Sequence, residues 1–567
     1  MIRHTSPISG IDAGVGFVAT AGYDNRVILW DAATRTALAE ARHDHLANQC
    51  RFSPSGRLLA TSGSDWSARL WSLPDLRLVT VLSDHKDDVE TTVFSPDETR
   101  VATTSRDHLV RIFDLDGRVL HRMEGHQADV LSADWTHGGR QLLTTSDDGT
   151  VRRWDAEAGV LLETVDLGDV ETDTIAVVDD DTVVLGNDDG ELVVLRTGQK
   201  AANHPAHAAG IKRLAWDPTA GLLLSCSYDR TVRFWRLSGD TVEAVLTSEV
   251  PADVWMRSCA KLDDTRWVFG TFGSTYAVYD RAADRWDLSG VEPTAGVNSV
   301  ALDGGRMLTV GDSGRVLSDG TPTAELGSCC NVIFAAGGVT VAGGQLGTVF
   351  DGRRGGALHQ HHSPLNCAAA YEGPDGRTEI VVGAYTGEGI RLAVRPDGSV
   401  EHRGDARLHG NAIKGVAVAG DVLFSVCATG AAAFHRLPGF ELIAEVPDAH
   451  SRIANGAAAL PDGRFASVGR DLMLRLWSPT GERLAAVPTP HAHSIKCVAV
   501  EPACGLVATG DYHGRVAVYD PATGTWVGNE RPTTAGISSL CAGDAPGTFL
   551  ASSYDGTVYP VGAPDRR

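Results

Sequence analysis

A phrase of about forty residues repeats along this chain, and that period limits the folds open to it more than any other feature. It is clearest from Gly125 to Asp155, where G-H-Q-A-D-V-L-S-A-D-W is followed by R-Q-L-L-T-T-S-D-D-G-T-V-R-R-W-D. Val130–Trp135 alternates weakly, Arg140–Thr145 is largely apolar, and Val151–Trp154 is short. Turn residues at His137-Gly138-Gly139 and Asp147-Asp148-Gly149 separate these runs, and a fourth run follows at Val160–Thr164. Short runs bounded by such turns read as strands. Nothing in the stretch has the 3.6-residue period of a helix. The residue closing the third strand recurs at Trp30, Trp71, Phe113, Trp154, Leu195, Trp235 and Tyr279. It continues near Leu317, Phe350, Leu392, Phe434, Trp477, Tyr519 and Tyr559, which makes fourteen units.

The strand endings carry a signature. Trp-Asp stands at Trp30-Asp31 and Trp154-Asp155, with Trp71-Ser72, Phe113-Asp114, Trp235-Arg236, Tyr279-Asp280, Trp477-Ser478 and Tyr519-Asp520 as related forms. Gly-His stands at Gly125-His126, with Asp44-His45, Asp84-His85, Ala206-His207, Ala449-His450 and Ala492-His493 as variants. In these residues the chain resembles the Trp-Asp (WD) repeat family, over essentially its whole length. The resemblance implies a hydrogen-bonded tetrad in each blade, in which indole, hydroxyl, imidazole and carboxylate satisfy one another in a low-dielectric interior. Matched residue by residue, it implies complete tetrads at His45, Thr61, Asp65, Trp71; at His126, Thr144, Asp148, Trp154; at His207, Ser225, Asp229, Trp235; and at His450, Ser467, Asp471, Trp477. His4, Thr20, Asp24 and Trp30 make another, His85, Thr103, Asp107 and Phe113 lack the ring donor, and His493, Thr509, His513 and Tyr519 are further degraded. The histidines are thereby placed between strands, and no catalytic residue is expected.

One four-stranded sheet cannot bury both its faces, whereas radial packing of several does, giving a β-propeller of four to eight blades. Fourteen units divide most simply into two rings. The expected fold is therefore all-β: two β-propellers of seven four-stranded blades each, residues 1–285 and 286–567, the second more divergent. The last unit offers three strands, Ile537–Ala542, Thr548–Ser552 and Thr557–Val561, and residues 1–5 are expected to close it. Ten of the twelve tryptophans lie at or before Trp286, and residues 1–280 hold 43 acidic against 27 basic residues, so the halves differ as two domains do.

Two sets of aligned positions are candidates for binding. Just before the tight-turn Asp stand Tyr23, Ser64, Arg106, Asp147, Asp188 and Tyr228, then Arg470, Tyr512 and Tyr554; Trp66 adds an exposed aromatic beside Asp65. Tyrosine, tryptophan and arginine are enriched at binding hot spots. Near the start of each first strand the second half reads Asn298, Asn331, Asn366, Lys414, Asn455, Lys496 and Ser538. The first half reads Ser9, Asn48, Glu90, Leu131, Thr174, Lys212 and Ser258. The Asn and Lys set is a possible channel-mouth ligand site for an acidic peptide, a carboxylate or a phosphate-bearing ligand, with Asn orienting and Lys neutralising.

Charge narrows the partners. The formal charge of -22 argues against nucleic acid, whose phosphates need a basic surface. Glu163, Asp166, Asp169, Glu171, Asp173, Asp179, Asp180, Asp181, Asp188, Asp189 and Glu191 fall in one unit that has no Lys or Arg, which suits a basic protein partner. No apolar run approaches the roughly 20 residues of a membrane helix. The ten cysteines lack C-x-x-C spacing, and the N-terminus lacks an apolar signal, so a cytoplasmic protein is expected. Six lysines against 44 arginines point to a GC-rich bacterial source. His359-Gln360-His361-His362 and His491-Ala492-His493 have no Cys or acidic partner at zinc-site spacing, so neither metal nor cofactor is expected. The reading that follows is a non-enzymatic scaffold for protein–protein interaction in bacterial regulation, signalling or defence. The alternative is a propeller enzyme or a small-molecule or peptide binder centred on the second ring's channel mouth.

Overall fold

The computed structural model describes residues 2–168, 170–239 and 241–562. Among the described residues the chain is all strand and turn, with no helix. It forms thirteen four-stranded sheets and one three-stranded sheet, all antiparallel, and each sheet is made of strands consecutive in sequence. The first blade comprises Ile8–Gly14, Phe17–Gly22, Arg26–Asp31 and Ala37–Arg42.

Burial falls from the inner strands outward. Leu222–Ser227, a second strand, is buried throughout, whereas the fourth strand Val160–Asp166 is almost wholly exposed. Neighbouring blades cover both faces of the inner strands, so these read as near-continuous apolar runs. Outer strands are edges, and charges such as Glu163 and Asp166 discourage further pairing there. The core lies between blades. In the first ring Phe234 packs edge-on against Trp267 of the next blade at 5.7 Å. In the second ring Phe424, Phe434, Phe465 and Trp477 form the same kind of seam.

Two compact units result, Met1–Thr294 and Ala295–Arg567, with seven sheets in each. The division falls a few residues beyond 285 because the intervening segment stays tied to the seventh blade. Ser274 N–H donates to Glu292 O at 2.8 Å, and Thr294 Oγ1 donates to Phe272 O at 3.1 Å. The first ring closes where Ile11 N–H donates to Ser258 Oγ at 2.7 Å. The second closes where Ser538 Oγ donates to Val297 O. Both closures join the inner strands of the first and seventh blades, and among the described residues no strand is exchanged.

Residues 2–5 do not complete the last blade. His4 N–H donates to Ser274 O at 3.0 Å, and its ring is held by Thr20 and Asp24, so this segment is committed to the first unit. Met1 lies outside the described residues, as do 563–567. Ile537–Ala542, Thr548–Ser553 and Val558–Gly562 form a sheet of three strands.

Candidate functional site: the turn faces and channels of the two rings

Tetrads fix the turns that carry Tyr23, Ser64, Trp66, Arg106, Asp147, Tyr228, Arg470 and Tyr512. In the fourth blade Trp154 Nε1 donates to Thr144 Oγ1 at 2.9 Å, His126 Nε2 lies 2.8 Å from that hydroxyl, and His126 Nδ1 lies 2.9 Å from Asp148. The sets at His207, Ser225, Asp229, Trp235, at His450, Ser467, Asp471, Trp477, and at His4, Thr20, Asp24, Trp30 are built alike. Thr103 and Asp107 hold His85 with no indole, as expected.

Two histidines differ from the expectation. Thr61 and Asp65 are joined to His43, not His45, at 2.7 and 3.0 Å. Thr509 is joined to His491, not His493, and the carboxylate is Asp511, not His513. The bonds decide it: in both sets the histidine stands eighteen residues before the hydroxyl, as His126 does before Thr144, although His4 stands only sixteen before Thr20. Gly63 confirms the placement, since a Cβ there would lie 2.5 Å from the His43 ring. A further remnant is His409, whose Nε2 lies 2.9 Å from Ser425 Oγ.

The register at the start of each first strand has a structural origin. In most blades a β-bulge interrupts the first pairing, as between Ala47 and Gln49 or between Ala454 and Gly456. The skipped residue is unpaired in its own ladder, and a bulge re-aims such a side chain. In seven blades that residue clasps the next one round the ring. Ser9 reaches Ala47 O at 2.6 Å, and Asn48 reaches Val89 O at 2.9 Å. Asn298 reaches Cys330 O, Asn331 Leu365 O, Asn366 Lys414 O and Asn455 Ile495 O, at 2.7 to 3.1 Å, and Ser538 reaches Val297 O. The asparagines expected to orient a ligand are therefore spent on blade-to-blade bonds. Sequence alignment also slipped by one in the fifth blade, where the bulged residue is Asp173, not Thr174; in the seventh a longer irregularity spans residues 255–258, and Arg257 lines the cavity.

What remains on the axis of the first ring is a charged cavity lined by Glu90, Leu131, Asp173, Lys212, Arg213 and Arg257, among others. Lys212 Nζ bonds both Asp173 and Asp188 and lies 5.1 Å from the Tyr228 ring. Burial alone would lower the Lys212 pKa, but the two carboxylates hold it well above the ordinary value. Arg106 is buried and pairs with Glu90 and Asp129. Deeper in, Arg213 is only 6% exposed, and burial and Arg51 pull its pKa down to about 10. Burial together with Glu171 and Asp129 pushes Asp147 well above the usual carboxylate range. Tyr23 packs edge-on against Trp255 at 5.2 Å, and Trp255 stacks on Phe272 at 5.3 Å. Arg106, Asp188 and Tyr228 thus form part of an internal network. Trp66 is different. It is 40% exposed and holds a left-handed backbone, φ 65°.

The second ring has a cationic and aromatic mouth instead. Lys414 lies 4.0 Å from the Tyr385 ring, Arg470 lies 5.9 Å from that of Tyr512, and Tyr512 stacks on Tyr554 at 6.5 Å. Lys496 sits among Tyr512, Tyr554 and Tyr385, which raise its pKa despite burial. The sequence pattern named five of these six residues and missed Tyr385, which occupies the same turn position as Tyr512.

The acidic unit is less free than its composition suggests. Asp173 and Asp188 face Lys212, Asp179 accepts from the turn amides of Asp181 and Thr182, Asp180 accepts from His137 N–H, and Glu191 accepts from Asn187 and Asn203. Asp169 lies outside the described residues. All ten cysteines are free thiols. Among the described residues no helix is long and apolar enough to cross a membrane.

Comparison with known proteins matches the geometry. The family model for the WD domain, G-beta repeat, matches residues 41–72, 76–114, 117–155 and 198–236. The chain is 27% identical to the Transcriptional corepressor LEUNIG_HOMOLOG of Arabidopsis thaliana, over 35% of this chain and 26% of that protein. It is 26% identical to the Target of rapamycin complex subunit wat1 of Schizosaccharomyces pombe, over 38% of this chain and 73% of that protein. It is 24% identical to WD repeat-containing protein 37 of Mus musculus, over 50% of this chain and 49% of that protein. The matches thus reach from about a quarter to about three quarters of these curated relatives. Matched repeats, tetrads and blades agree: the chain is built of WD-type repeats, four of which the family model matches.

Proposed function

We propose that this chain is a non-enzymatic scaffold that binds protein partners in the bacterial cytoplasm, in regulation, signalling or defence. The observation that carries the reading is Trp66. A bulky side chain in left-handed backbone is an outlier that costs free energy, roughly 1 kcal/mol or more. At the corresponding turn position the first blade uses Asn25 and the fourth Gly149, both better suited to that backbone; other blades place His108, Arg230 and Leu472 there, and Trp66 is the large aromatic hydrocarbon surface among them. A large indole kept there and exposed is what a partner-binding hot spot requires. That one matched relative is a subunit of a complex supports the same reading. Surplus carboxylates around the fifth blade favour a basic partner, by steering encounter at low salt.

Replacing Trp66 by Asn separates stability from binding. Trp66→Asn is expected to leave Tm unchanged or slightly raised, because strain is relieved. Partner recovery by affinity capture from the native cell is expected to fall at least tenfold. Equal recovery by the variant would remove Trp66 and this reading together.

A further inference from the structure

The sequence offered no acidic partner for the histidines around residue 360. The fold supplies one from the adjacent blade. His359 lies on the outer strand Ala357–Gln360, and His402 and Asp405 lie on the outer strand Val400–Arg407 of the next blade. The two imidazoles stack with centroids 3.8 Å apart. His402 Nε2 lies 2.8 Å from Asp405 Oδ1. Residues three apart on a regular strand point to opposite faces. Here a bulge between the partners of Arg391 and Leu392, with Gly404 at φ 101°, returns them to one side. One donor atom each from His359, His402 and Asp405 falls within 4.8 Å of the other two.

A second group, His361, His362 and Glu388, meets the same distance limit. Its chemistry differs. His361 Nδ1 accepts from Ser363 N–H at 3.1 Å, so Nε2 carries the proton toward Glu388, 3.0 Å away. That ring is buried and committed to internal bonds. His362 is exposed beside it, with ring centroids 4.2 Å apart.

We propose that His359, His402 and Asp405 bind a divalent transition-metal ion of the zinc class, with His362 or water as the fourth ligand. Two imidazoles and a carboxylate are a donor set that zinc accepts in tetrahedral geometry, with bonds of about 2.0–2.2 Å. Drawing the donors from 4.8 Å or less onto one ion asks for side-chain rotation by half-buried or exposed residues, without moving the strands. The ion would clip together the outer strands of two blades, where propeller sheets diverge most.

Untagged full-length protein stripped with chelator would be titrated with Co2+ and then with Zn2+. The expected result is one Co2+ per chain with the visible absorption of a tetrahedral site, displaced by one Zn2+. His402→Ala and His359→Ala should each weaken Co2+ binding at least tenfold, with the circular dichroism unchanged. Glu388→Gln and the exposed His137→Ala should bind as the parent does. Absence of the tetrahedral spectrum would overturn the proposal. So would loss of binding in Glu388→Gln with retention in His402→Ala, which would place the ion in the second group.

Discussion

Buried histidines decide how this protein responds to acid. His409 is 4% exposed, and burial pulls its pKa down to about 4, with Ser425 opposing and His435 adding to the shift. The unfolded chain titrates near 6.5, so it binds the proton more readily than the folded chain. Stability from this group is complete above about pH 6.5 and is lost as pH falls from there through about 4. The loss by pH 4 is about 3 kcal/mol. Carboxylates act in a lower window. Asp229 is held at about 2: burial raises its pKa, and bonding to His207 more than offsets that, so its contribution fades only as pH falls below about 4. Urea midpoints from pH 7.5 to 4.5 should therefore decline, and His409→Gln should flatten that decline. An equal slope in the variant would refute the assignment. At this scale the sequence was legible wherever spacing was used. His43 and His491 stand eighteen residues before their hydroxyls, like His85, His126 and His207, and the more familiar look of Asp44-His45 and Ala492-His493 hid them.

Among the elements, the bulge in each inner strand gives one residue per blade a choice between binding the neighbour and facing the channel. Asn455 takes the first course: it is buried, with its amide 2.7 Å from Ile495 O. Asn455→Ala should cost about 1–3 kcal/mol in urea unfolding, because the carbonyl loses its donor. Amide exchange should quicken on Ile495–Val500. Lys496→Met removes no such clasp and should change stability much less; equal costs would show that the bulged residue's bond is not the cause. The register itself was readable as a run of Asn, Ser and Lys. Its role was not, because each acceptor is a carbonyl on the next blade, and the bulge that aims the side chain has no residue signature. The same blindness concealed His359, His402 and Asp405, which approach only because outer strands of successive blades do.

For the whole molecule, charge is the dominant long-range term. At -22 the folded chain repels itself, and salt shortens the range of that repulsion from about 30 Å at 0.01 M to about 8 Å at 0.15 M. Tm should rise by a few degrees across that interval, measured by calorimetry, and a flat or falling Tm would show that the acidic unit's internal bonds already cancel its charge. The fold at this scale was plain from the period, since fourteen units exceed one ring and divide into two. Closure was not plain. The expectation that residues 1–5 would complete the last sheet competed with the tetrad expected at His4, Thr20 and Asp24, and the tetrad holds the segment.

Making every sheet from consecutive strands has a consequence for synthesis. Each blade has all its own strands as soon as its stretch of about forty residues has left the ribosome, so the nascent chain gains structure blade by blade. The seam obeys a different clock. Ile11 waits for Ser258, 247 residues later, and Val297 waits for Ser538, 241 residues later. Loop closure over such separations comes late. Until then the inner strands Ile8–Gly14 and Val297–Asp303 present an open flank, which the finished rings cover with their own last blades.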